Sequence, residues 1–265
     1  MSEVKELTER IIARKEGGAG WLVFNNPARR NAVSVDMWEA IPRVMDAYLS
    51  DPEVRVIVLA GAGDKAFVSG ADISQFENQR SSEAAVQHYE EIAGSAQARI
   101  RSSEKPVIAM IRGYCLGAGV NIASVCDLRI ASEDARFGIP AAKMGLGYRA
   151  SSMKNLLDVV GAAYAREIMI TARQFTAAEA YHMGLVHHVV ADLEGFTRKL
   201  CEDIAANAPL TLRAAKRIIR EIVDASGGYD AAKCKAWVKE CFDSEDYKEG
   251  RKAFMEKRKP AFKGR

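Results

Sequence analysis

The chain is predicted to be an α/β protein, and three observations carry that expectation. Val54 to Ala60 and Val107 to Ile111 are nearly unbroken apolar runs, the pattern of strands buried on both faces. Each run follows a long stretch in which apolar residues recur at helical spacing. Each is then followed by glycine-rich sequence, with Gly61, Gly63 and Gly70 after the first and Gly113, Gly117 and Gly119 after the second. Such punctuation is expected of tight loops leaving parallel strands.

The elements follow in order. Arg10 to Arg14 and Trp21 to Phe24 are short apolar runs on either side of Gly17, Gly18 and Gly20, which predicts a β-hairpin at the start. From Ser34, a candidate N-cap, Met37, Trp38, Ile41, Val44, Met45 and Tyr48 recur at helical spacing, with Asp36 in the first turn. That pattern predicts an amphipathic helix bent at Pro42. Beyond Ser151 the pattern is almost wholly helical, apart from a strand candidate at Leu185 to Val190. Pro209 falls at a first helical position, and Leu210, Ala214, Ile218 and Ile222 mark one face of the helix it opens. Arg213, Lys216, Arg217 and Arg220 form a basic stripe on that helix, read as facing solvent. No repeat of solenoid length and no low-complexity linker divides the chain.

Composition narrows the classes. Of 265 residues, 48% are apolar and 28% charged, too apolar for a disordered chain. Lys+Arg 38 against Asp+Glu 35 leaves a net charge of only +3, so no nucleic-acid or membrane partner is expected from charge and any phosphate site must be local. The five cysteines, Cys115, Cys126, Cys201, Cys234 and Cys241, include no C-x-x-C pair, which points away from a disulfide framework or zinc cluster and toward a reducing compartment. With no apolar run of signal-peptide or membrane-span type, a soluble cytoplasmic protein is expected.

The chemistry concentrates in two loops. Lys105 to Leu128 reads as a strand, a sharp turn and an apolar helix entered through Gly117, Ala118 and Gly119. Small residues there let another group approach the backbone, and amides at the start of a helix are aimed at negative charge. The loop from Ala60 to Ile73 offers a second small-residue turn at Gly70 and Ala71, so two backbone donors could converge on one oxygen. Each loop alone is also compatible with a plain tight turn. Neither G-x-G-x-x-G nor G-x-x-x-x-G-K-[ST] occurs, which sets aside dinucleotide and P-loop readings. His88, His182, His187 and His188 lack metal-ligand spacing, so no metal site is expected. Ser69 lies near the proposed hole, but no G-x-S-x-G or Cys–His arrangement supports a nucleophile.

The stretch Gly113–Leu128, with NNPARRNAVSVDMW before it and LRIASEDARFGIPAAKMGLG, FTAAEAYHMGLVHHVV and EDYKEGRKAFMEKRKPAFKGR after it, resembles the enoyl-CoA hydratase/isomerase (crotonase) family almost end to end. The resemblance implies a crotonase-like spiral core of ββα units over 1–200 and a C-terminal helical trimerisation region over 201–265 that is not an independent domain. It also implies a homotrimer or a hexamer built as a dimer of trimers. The implied partner is an acyl-CoA thioester, with coenzyme A as the carrier part of the substrate and no tightly bound cofactor. Carried over by position, the oxyanion donors are the backbone amides of Ala71 and Ala118, which would hold a thioester oxygen as it becomes an enolate.

The departures from the family pattern shape the functional expectation. The positions of the two hydratase glutamates fall at Asn121 and Ala141, neither of which can move a proton, and such assistance is worth roughly 10²–10⁴ in rate. The segment GLGYRASS from Gly145 also departs, which implies a remodelled acyl pocket. Tyr148 is the preferred replacement group because a phenol can donate a proton or hydrogen bond; Arg149 shares its loop, Asn121 could orient a water or hydrogen-bond a substrate carbonyl, and Tyr114 lies just before the oxyanion turn. The expected enzyme is an isomerase, decarboxylase, C–C hydrolase or atypical hydratase, against the alternative of a noncatalytic acyl-CoA-binding or assembly protein. For coenzyme A, the resemblance points to Arg29, Arg30, Ala32, Gly70, Asp72, Ile73 and Gly117. From a neighbouring subunit it adds Phe254 and Lys257, in a terminal segment, Lys248 to Arg265, with eight Lys/Arg and two Glu.

Overall fold

The computed structural model describes residues 8–72, 83–225 and 227–265. The chain opens on a hairpin of β1 (Ile11–Glu16) and β2 (Ala19–Phe24), paired antiparallel from Ile11↔Phe24 to Glu16↔Ala19. Gly17 and Gly18 turn it at φ 55° and 79°, where a side chain would be strained. Helix α1 (Val35–Ser50) begins at Ser34, which takes the N-cap position without a side-chain bond to the helix. The helix runs through Pro42 as one element and buries Met37, Trp38, Ile41, Val44, Met45 and Tyr48.

From there each step lays one strand in a large sheet and the next in a small one. Strands β3 (Val56–Gly61), β5 (Val107–Ile111) and β7 (Leu128–Ser132) alternate with β4 (Ala66–Val68), β6 (Tyr114–Leu116) and β8 (Arg136–Gly138). The large sheet has the order β1-β2-β3-β5-β7-β10, with β10 at His188–Val190, and the small one β4-β6-β8-β9, with β9 at Phe175–Thr176. Pairing is parallel from β2 to β10 and from β4 to β8. Burial on both faces explains the unbroken apolar runs: every residue of β5 is buried, and all of β3 but Gly61. Helices α2 (Glu83–Arg101), α3 (Ala118–Ser124) and α4 (Ala150–Thr171) close the successive turns of the spiral.

Helices α5 (Ala177–His182) and α6 (Leu193–Ala205) flank β10, and α7 (Pro209–Asp224), α8 (Ala231–Asp243) and α9 (Glu245–Met255) complete the chain. Two expectations need correction. The strand expected from Leu185 begins only at His188, because the amides of Leu185 and Val186 instead bond to the Ala180 carbonyl at 2.8 and 3.3 Å. The basic stripe of α7 does not face solvent. Lys216 donates to the Lys105 carbonyl at 2.9 Å and pairs with Asp127, Arg217 pairs with Glu104, and Arg220 reaches the Arg101 carbonyl at 3.4 Å. Long side chains cover apolar surface with their stems while their charged ends find acceptors, so the stripe ties α7 to the end of α2 and to the residues that lead into β5 and β7.

Candidate active site

Strands β4 and β6 are parallel neighbours, so the loops that follow them leave the sheet side by side. Gly70 sits at φ 124°, and Gly117, the N-cap of α3, at φ 52° and ψ −108°, conformations that strain any residue with a Cβ. The two loops touch: a Cβ added at Gly117 would lie 3.8 Å from the Gly70 Cα. At Gly119 a Cβ would lie 2.2 Å from the Val68 carbonyl oxygen, so glycine lets α3 seat directly on β4. Gly119→Ala is expected to destabilise the fold by about 1–3 kcal/mol through overpacking, read as a lower denaturation midpoint, and to reduce activity further by displacing Ala118.

The Val33 amide donates to the Gly70 carbonyl at 2.9 Å and the Asp72 amide to the Val33 carbonyl at 3.0 Å. That parallel bridge flanks Ala71 and leaves its own N–H unused. Ala118 is the first residue of α3, where an amide has no acceptor within its helix. Among the described residues neither amide has a hydrogen-bond acceptor. Both residues line one cavity of about 410 Å³.

The same cavity gathers Asn121, Ala141 and Tyr148. Tyr148 Oη donates to Asn121 Oδ1 at 2.5 Å. Burial pushes the phenol above its ordinary pKa, against a smaller opposing pull from the Asn121 bond and the Arg149 charge. Tyr148 is therefore a neutral donor across the physiological range, and its bond fixes the Asn121 amide with Nδ2 left to donate elsewhere. Ala141 is buried in the short 3₁₀ segment Pro140–Met144.

Sequence reasoning missed the opposite wall. Glu90 is the one carboxylate among the described lining residues. Its backbone carbonyl accepts from Arg149 Nη1 at 2.8 Å, and its carboxylate lies 3.8 Å from Arg149 Nε. Trp38 Nε1 donates to Tyr89 Oη at 3.0 Å, joining α1 to α2 behind the cavity. Gln97 and Ser152, also lining residues, are 6% and 3% exposed. Tyr89, Ala93 and Gln97 recur at i, i+4 and i+8 on α2, and an amide closing such an apolar stripe was the available signal.

Other expected residues lie outside this cavity. Arg29 and Arg30 are exposed beside it: Arg29 Nη1 lies 3.3 Å from Asp72 Oδ1, and the Ser69 amide donates to the Arg30 carbonyl at 3.1 Å. Ala32 is buried between them and Val33. Arg30 stacks 4.9 Å from the Tyr114 ring centroid. Ile73 lies outside the described residues. Phe254 and Lys257 stand at the end of α9 and do not reach the cavity within one chain; Phe254 is 83% exposed.

The nucleophile candidates are otherwise engaged. Ser69 Oγ donates to the Arg29 carbonyl at 3.3 Å. Burial pushes the Cys126 thiol up to about 12 and that of Cys115 higher still, which disfavours thiolate. Among the described residues no group of three or more His, Cys, Asp or Glu is placed to hold a metal ion, and no helix is long and apolar enough to cross a membrane.

An α/β spiral in which two small-residue loops from adjacent strands meet at one cavity is a fold with known relatives, and comparison with known proteins identifies its class. The enoyl-CoA hydratase/isomerase family model matches residues 14–265. The short-chain-enoyl-CoA hydratase of Clostridium acetobutylicum is 34% identical over 258 residues, covering 96% of this chain and 98% of that protein. The peroxisomal Delta(3,5)-Delta(2,4)-dienoyl-CoA isomerase of Arabidopsis thaliana is 32% identical over 255 residues, covering 91% of each. The crystal structure of a family protein from Hyphomonas neptunium superimposes with a TM-score of 0.93 at 38% identity, covering 98% of this chain and 99% of that one. The chain belongs to the enoyl-CoA hydratase/isomerase (crotonase) family of acyl-CoA-processing enzymes.

Proposed function

We propose that the cavity holds the thioester carbonyl of an acyl-CoA, with the amides of Ala71 and Ala118 donating to its oxygen, and that the reaction proceeds through the enolate so stabilised. What supports this reading is that Ala71 and Ala118, on loops that leave adjacent strands, both line one cavity and have main-chain amides without an acceptor among the described residues. A preorganised donor of this kind contributes about 3 kcal/mol to a transition state in which negative charge develops. Arg29, Arg30 and Ala32, with Gly70 and Asp72, would line the path of the CoA arm. Phe254 and Lys257 would reach it from a neighbouring subunit of a trimer or hexamer, a reading supported by the exposed apolar residues Ile219, Ile222, Phe242, Phe254 and Met255 on the C-terminal helices.

Where hydratases of the family carry glutamates, this chain has Asn121 and Ala141. The polar groups left at the reacting centre are the Asn121 amide and the Tyr148 phenol that orients it. They suit hydrogen bonding to an enolate, a carbonyl or a water, and so favour isomerisation, decarboxylation, C–C hydrolysis or an atypical hydration over the standard hydratase route. Tyr148→Phe is expected to lower kcat about tenfold, the worth of one positioned hydrogen bond, with little change in KM. Because burial disfavours the phenolate, the alkaline limb of the wild-type pH–rate profile should not show a tyrosine titrating at its usual value near 10.

A second reading is a noncatalytic acyl-CoA-binding protein, favoured by the engagement of Glu90 with Arg149 and of Tyr148 with Asn121. Incubation with enoyl-, malonyl- and β-ketoacyl-CoA esters, followed by mass spectrometry, separates the two. Any enzyme-dependent product supports the first reading. Tight ester binding without a product supports the second, and crotonyl-CoA hydration at ordinary hydratase rates would overturn the atypical assignment.

A further inference from the structure

Resting on the acyl-CoA reading, we propose that the acyl end of the cavity selects a chain bearing an uncharged oxygen group, a hydroxyl or ketone, beyond its reacting carbons. Gln97 and Ser152 line the cavity from α2 and α4, are more than nine-tenths buried, and make no side-chain hydrogen bond among the described residues. Their polar atoms are not among the side-chain atoms sealed from solvent, so water meets them in the cavity, and a ligand that fills the cavity must replace that water or leave a polar group without a partner. A purely alkyl chain would expel that water and return nothing, whereas a hydroxyl or ketone oxygen could accept from Gln97 Nε2 or from Ser152 Oγ. Binding would therefore favour the oxygenated chain.

Charge decides between a neutral and an anionic group. Arg149 is the one Lys or Arg among the described lining residues, and it is already committed to Glu90 through the 2.8 Å bond to the carbonyl and the 3.8 Å approach to the carboxylate. That wall is neutral overall. A carboxylate on the substrate would compete with Glu90 for Arg149 and leave two like charges on a wall that holds one cation, a repulsion that the part-exposed Glu90 and Arg149 side chains reduce but do not remove.

The test uses the whole protein and unreactive saturated acyl-CoA esters of matched length, ending in a methyl, a hydroxyl, a ketone or a carboxylate, with affinities measured by calorimetry. The hydroxyl or ketone ester is expected to bind at least tenfold more tightly than the alkyl ester, and the carboxylate most weakly. The paired variant Gln97→Leu/Ser152→Ala, checked for an unchanged melting temperature, is expected to reverse the order of alkyl and oxygenated esters. The proposal fails if the wild type binds the alkyl or carboxylate ester as tightly as the oxygenated ones, a result that needs no variant to fold. It fails equally if the preference survives in the paired variant. Binding of CoA and of all esters with no discrimination overturns the polar pocket alone. Absence of binding by every ester and by CoA overturns the acyl-CoA reading, and the proposal with it.

Discussion

Ala118→Pro is expected to reduce kcat by about 10²–10³, the effect of removing one donor from a preorganised oxyanion site. Proline lacks the amide hydrogen, yet it is well tolerated at the first position of a helix, because its φ suits the helix and the lost N–H had no intrahelical acceptor. Ala118 occupies that position, so the substitution removes the proposed donor with little expected cost to the fold. Ala118→Gly retains the N–H and should stay within a few-fold of wild type. Steady-state kinetics on the best thioester, beside melting temperatures for both variants, check the prediction. Full activity in a folded proline variant would remove this amide from the mechanism.

Asn31→Ala is expected to cost about 3 kcal/mol of stability, from lost hydrogen bonds and from carbonyls left buried without a partner. Asn31 is fully buried at φ 56°, a conformation that asparagine tolerates better than alanine. Its Nδ2 donates to the carbonyls of Ala62 and Ala66 at 2.9 and 2.7 Å, and its Oδ1 accepts from the Asn26 amide at 3.0 Å. It thereby pins the segment 29–33, which in turn holds Ser69, Gly70 and Asp72 through main-chain bonds. Urea unfolding should show the loss as a lower midpoint with an unchanged slope. Ester affinity should fall as well, since the Ala71 loop loses its support; unchanged stability would mean that neighbouring groups replace all three bonds.

Much of the scaffold could be read from residue order, because burial on two faces writes itself as the apolar runs at Val54–Ala60 and Val107–Ile111. The starts of α1 and α7 were likewise local signals, at Ser34 and Pro209. What could not be read was the partner of each polar group. Lys216 looked like a surface lysine because its acceptors, the Lys105 carbonyl and Asp127, lie about a hundred residues earlier in the chain. Gln97 and Ser152 were missed for the same reason: they face one another's surroundings only after α2 and α4 pack around the cavity. The loop glycines were legible, since a positive φ demands glycine locally, but the junction of Tyr148 with Asn121 is a tertiary fact.

The side-by-side placement of β4 and β6 acts as a ruler for the chemistry. Hydrogen-bonded strands are spaced by about 4.8 Å, and two donors each about 2.9 Å from a shared oxygen, at a tetrahedral angle, stand roughly that far apart. The two loops leave the sheet at that spacing, so the gauge of the proposed grip starts from main-chain geometry rather than from side chains. Evolution at this locus can exchange the surrounding acids, amides and phenols, and so redirect the reaction, while the main-chain frame of the proposed enolate contact stays in place.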